Sequence, residues 1–186
     1  MIRLSERLLD AVSLPGRWIG WLVLPLAASV LITIAAAKMG VNALVEWEGR
    51  VPVLGARLTV NSLIDFQWYV FAALVLFGGV YALRDERHVA VDFVYALLPR
   101  RGQLVLRILG DLVLLIPFCL IIAYYGYFFA LTAWNTGEGS PHGGLQSRWI
   151  VKACIPLAFG LLALAGVARV AAALAELLGR PRPGAS

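Results

Sequence analysis

Histidine and cysteine are scarce in this chain: two of each occur among 186 residues. His88 and His142 sit in polar stretches with a long apolar run between them, so they cannot together ligate a haem or share a metal site. Cys119 and Cys154 both lie inside apolar runs and form no CxxC pair. That excludes dithiol redox chemistry and reads as two buried structural thiols. Charge is low as well, at 15% of residues. No GxSxG elbow, phosphate-cradling glycine loop or HExxH helix is present. These shortages argue against an enzyme, and no cofactor or metal is expected.

What the chain does hold is apolar residues. It is 61% hydrophobic with a mean hydropathy of +0.82, too apolar for a water-soluble domain of this size, and lipid is its expected solvent. A hydrocarbon slab of roughly 30 Å takes about 20 apolar residues per helical span. The length therefore fits several spans and no independent globular domain. The expected fold is an all-α integral membrane protein, one membrane domain over 1–186, with four transmembrane helices and amphipathic interfacial helices.

The spans are expected at 18–38, 64–83, 104–133 and 149–178. Before the first, residues 1–16 read as a helix lying on the membrane surface, with Ile2, Leu8, Leu9 and Val12 along one face and a break at Leu14, Pro15 and Gly16. Trp18 and Trp21 suit the headgroup boundary. An Ala35-Ala36-Ala37 cleavage site would make this segment a signal peptide, but the apolar run is too long and its lead-in too structured. Residues 39–63 are too mixed to cross lipid and are expected to form an exposed loop. Residues 89–98 are too few to span and read as a second interfacial helix. In the third span Pro117 is expected to introduce a kink. Residues 134–148 form a Gly-rich polar loop, and 180–186 a frayed tail.

The net charge of +5 does not indicate a nucleic-acid partner, because the basic residues fall between apolar segments rather than along one face. They report topology instead. Eleven of the sixteen Lys and Arg residues lie on the side of the termini and five on the other, a bias that puts both termini in the cytoplasm.

Two groups of charged residues stand out. Arg84, Asp85, Glu86, Arg87, His88 and Asp92 crowd the end of the second span. One reading is a solvated cluster whose arginines meet lipid phosphates. Asp85 and Glu86 argue for contacts to a partner or within the chain, since an anionic-lipid anchor gains nothing from carboxylates. In a helix, His88 and Asp92 would lie at i and i+4 and could pair. Asp111 falls one to two turns inside the third span, where a carboxylate needs a partner; Arg107 or Arg169 could supply the charge. An intramembrane ion pair of Asp111 with Arg169 is favoured over ion transport, because the chain has neither an internal repeat nor paired broken helices.

The run from Gly78 through Asp92, followed by an apolar helix and a basic turn, resembles the small permease (DctQ-like) subunit of tripartite ATP-independent periplasmic (TRAP) transporters. Trp134, Glu138, Ser140, Gly143, Gly144, Trp149, Lys152 and Pro156 also resemble that family, with Glu138, Ser140, Trp149 and Lys152 at a periplasmic loop. Ala90 departs from it, standing where relatives often carry a basic residue. The resemblance implies a secondary transporter of the bacterial inner membrane, driven by a sodium gradient. In it, a periplasmic substrate-binding protein delivers an organic acid to a heterodimeric membrane pair. It further implies that the large permease subunit carries the substrate and sodium sites and moves as an elevator, while the small subunit is immobile scaffold in contact with membrane lipids. A different class also fits the residues: an autonomous tetraspan assembly or lipid-binding protein without a transport partner. A self-sufficient channel would need a polar stripe along its spans, which is not seen.

Overall fold

A computed structural model describes residues 2–84 and 98–178, with residues 2–6, 50 and 84 described by backbone alone. Asp85, Glu86, Arg87, His88 and Asp92 lie outside the described residues. So do the Arg84 side chain, the expected interfacial helix up to residue 97 and the 180–186 tail.

Six α-helices and one β-hairpin make up the described chain. Helix α1 (Ile2–Ile19) passes through a 3-10 turn (Gly20–Leu22) into α2 (Val23–Lys38). Strands β1 (Ala43–Val51) and β2 (Gly55–Thr59) follow, then α3 (Val60–Arg84). Helix α4 (Arg100–Leu109) continues through a π-helical turn (Gly110–Leu115) into α5 (Ile116–Asn135), and α6 (Trp149–Leu177) closes the order. Among the described residues, four helical runs are long and apolar enough to cross a membrane: Arg7–Lys38, Val60–Leu83, Arg100–Asn135 and Trp149–Leu177. Large side chains along them, such as Leu31, Leu114, Tyr125 and Leu157, stand exposed. In water that apolar surface would drive aggregation; in lipid it is the solvated face, and the helices satisfy their backbone polar groups internally.

The residues group into two compact units. The first comprises residues 1–17, 77–123 and 157–186, and the second 18–76 and 124–156. In the first, α6 turns small residues inward: Ala158, Ala165, Ala168, Ala172 and Ala175 recur at helical spacing and are buried. A Cβ at Gly166 would stand 3.1 Å from side-chain atoms of Leu115 and Ile116. Close approach of this kind gives helices in lipid their van der Waals contact, where no hydrophobic drive operates.

Three local readings change. The expected break at Leu14-Pro15-Gly16 is absent, and α1 runs through Pro15 to Ile19. Gly16 serves close packing instead, since a Cβ there would lie 2.5 Å from the Phe77 carbonyl oxygen and 2.8 Å from Tyr81 Cβ. Residues 39–63, expected as an exposed loop, are mostly an antiparallel hairpin, with Glu46 opposite Arg57 and Val51 opposite Gly55. The β-forming Val45 and Trp47 favour pairing, opposite charges face each other across the strands, and Trp47 Nε1–H donates to the Gly55 carbonyl at 2.9 Å. The irregularity expected at Pro117 appears as the π turn just before it, where Ile116 N–H donates to Asp111 O. A proline has no N–H for the i−4 carbonyl and its ring crowds that carbonyl, so the preceding turn widens.

Candidate functional site

The polar end of the second unit is built on the start of α3. Thr59 and Ser62 close a reciprocal cap: the Thr59 Oγ1 accepts from Ser62 N–H and the Ser62 Oγ from Thr59 N–H, each at 3.2 Å. That pattern fixes the first turn and directs Asn61 and Asp65 at the Gly-rich loop. Asn61 Nδ2 donates to the His142 carbonyl at 2.7 Å, and Asp65 Oδ2 accepts from Leu145 N–H at 2.9 Å. Between them Gly144 fits so closely that a Cβ would collide with the Asp65 carboxylate and lie 2.9 Å from the Asn61 carbonyl. The loop is tied to the hairpin as well, by Gln146 N–H donating to Val53 O at 2.6 Å. A cleft of about 560 Å³ lies between hairpin turn and loop, with Val53, Leu54, Arg57, Gly143 and Gln146 on its walls.

The loop's far arm ends in a second clasp. Lys152, in the first turn of α6, places Nζ 2.5 Å from Glu138 Oε2, and Arg148 Nη1 is 3.6 Å from Glu138 Oε1. Ser140 N–H donates to the Leu145 carbonyl at 2.9 Å. The hydrogen bond from Lys152 holds the Glu138 carboxyl below its ordinary range; desolvation opposes it, and the charges of Lys152 and Arg148 add smaller lowering effects. Lys152 Nζ also stands 3.9 Å above the Phe129 ring centroid, a cation–π contact. Trp134 and Trp149 meet edge to face at 4.7 Å where α5 ends and α6 begins. Glu138 and Lys152 thus meet, Trp149 packs on Trp134, and Ser140 supports the loop backbone.

In the first unit, Arg169 Nε lies 3.2 Å from Asp111 Oδ2. Asp111 is buried in the π turn. The contact is an ion pair that falls short of hydrogen-bond alignment. A second pair was not legible in the sequence. Arg100 at the start of α4 donates to Glu176 Oε1 through Nε at 2.9 Å and approaches it through Nη2 at 2.8 Å. Arg100 carried only a topology signal, and its bridge spans 76 positions, beyond any local pattern. Asp65 was equally hidden, since only the fold brings Leu145 to it.

Chemically these groups bind one another. Carboxylates meet cations or backbone N–H groups, and no cluster of three potential metal ligands occurs among the described residues. Such an arrangement defines a multi-pass membrane protein whose polar side chains tie its own elements together. The family model for the DctQ component of tripartite ATP-independent periplasmic transporters matches residues 52–176, about two thirds of the chain. The chain belongs to that family and is a small membrane subunit of a TRAP transporter. No curated protein and no solved structure shows significant similarity to it.

Proposed function

We propose that this subunit is the stationary scaffold of a sodium-gradient-driven transporter for organic acids, in the bacterial inner membrane with both termini cytoplasmic. Its large permease partner carries cargo by an elevator motion, and a periplasmic substrate-binding protein supplies that cargo. The hairpin and Gly-rich loop then face the periplasm, and Arg84 to Asp92 fix the cytoplasmic end of the frame. The observation that carries this reading is the internal pairing of span-depth charge: Asp111, within the third span, is matched by Arg169 of the fourth. Ion-coupling sites are built near the midplane from paired broken helices of repeated halves, whereas a frame needs its charges satisfied. The experiment is co-expression with the large permease of the same transporter. The parent chain is expected to co-purify with it in mild detergent. Alanine at Arg84, Asp85, Arg87 and Asp92 together is expected to lower recovery of the complex or uptake severalfold. A chain that purifies alone would instead be an autonomous tetraspan.

A further inference from the structure

Helix α5 uses one narrow stripe for packing. Gly126, Ala130 and Ala133 are its buried residues over the second half, and a Cβ at Gly126 would stand 3.0 Å from Ile155 Cγ2 and 3.2 Å from Pro156 Cδ. On the remaining surface are Tyr124, Tyr125, Tyr127 and Phe128, with Tyr124 61% and Tyr125 67% exposed. Their rings order one another edge to face: Tyr124 with Tyr125 at 5.4 Å, Tyr124 with Phe128 at 5.0 Å and Tyr127 with Phe128 at 5.5 Å.

Aromatic residues on a span ordinarily belong to the headgroup belt. Here that level is set by Trp134, which meets Trp149 beside the polar loop. Tyr124 and Tyr125 lie ten and nine residues deeper, roughly 14–15 Å along the helix at the usual rise. In a slab of about 30 Å that is near the midplane. A phenol has no water to donate to at that depth, and acyl chains accept nothing. The neighbouring Thr132 avoids the cost by donating to the Phe128 carbonyl of its own helix at 2.9 Å. A tyrosine carries its hydroxyl past the reach of its own backbone, and no hydrogen bond joins the Tyr124 or Tyr125 hydroxyl to another described residue. This face is therefore mismatched to lipid and complementary in polarity to a helix that presents acceptors.

We infer that the Tyr124, Tyr125, Tyr127 and Phe128 face of α5 is the seam against which a transmembrane helix of the large permease packs, its acceptor groups taking the tyrosine hydroxyls near mid-membrane. This rests on the scaffold reading and adds to it the face that meets the partner. The mutually packed rings present the surface already ordered, so little side-chain freedom is lost on association.

The test places a photo-crosslinking benzoylphenylalanine at Tyr125, and separately at the exposed Leu31 of α2, in the full chain co-expressed with the large permease. Tyr125 is expected to crosslink to the permease. The double variant Tyr124→Phe with Tyr125→Phe keeps the rings and removes the hydroxyls, and is expected to weaken co-purification about tenfold, as for two interhelical hydrogen bonds. If the parent complex forms but Tyr125 crosslinks only to lipid or to a second copy of this chain while Leu31 reaches the permease, the seam is elsewhere and the scaffold reading stands. Undiminished assembly of the double variant overturns the hydroxyl pairing. A parent chain that captures no permease overturns the scaffold reading itself.

Discussion

At Gly144 the room for one methyl group is already taken by Asp65 and the Asn61 carbonyl. Gly144→Ala should therefore push the loop off α3 and break the Leu145 N–H bond to Asp65. A loss of about 1–3 kcal/mol is expected, as for other overpacked sites, read as a lower melting temperature in detergent. Glu138 gives a pH signature. Its folded-state carboxyl is held below the ordinary value of 4.5 by the Lys152 hydrogen bond, so its contribution is complete above that value and lost as pH falls through the folded one. Glu138→Gln should flatten the pH dependence of stability below about 4.5 and leave the slope near neutrality unchanged, in melts taken across pH. A slope unchanged below 4.5 would show that the clasp adds nothing to folding. The Gly143-Gly144 pair and Glu138 were visible as motif residues, yet their roles were not. A glycine that avoids a clash looks the same in sequence as one that supplies a turn, and only the backbone of α3 distinguishes them.

The π turn preceding α5 shows how an element can be half legible. Pro117 announced a disturbance in the third span, and its missing N–H explains why the turn before it widens. The width of that turn decides where Asp111 points, and it points at Arg169. With the pair's side chains only 10% and 18% exposed, removing one partner strands a charge: Asp111→Ala should cost about 3 kcal/mol or more. Replacing both, with Asp111→Leu and Arg169→Met, should recover most of that loss, since a well-packed apolar pair often matches a buried ionic one. Unfolding of the single and double variants in mild detergent checks both. A double variant as unstable as the single one would mean that the carboxylate and guanidinium act separately. The hairpin was less legible than the π turn. Its mixed composition was clear, but pairing depends on register, and the irregularities between Ala43 and Val45 and between Glu46 and Val51 blur any alternation of apolar and polar positions.

For the molecule as a whole, orientation is the property most open to direct measurement. In a background lacking Cys119 and Cys154, a cysteine at the exposed His142 should react with an impermeant maleimide added outside intact cells, and one at the exposed Arg101 only after permeabilisation. The reverse pattern would invert the charge-based topology. Four spans, the polar loop and the lipid-solvated class follow from hydropathy and length alone, because the cost of bringing backbone and charge into hydrocarbon is nearly independent of which helix lies beside which. Partners for Asp65, Asp111 and Glu176 do not follow from it. Each meets a group tens of positions away in the chain. Chain distance carries no information about such meetings; they are decided by small residues at helix contacts and by one widened turn.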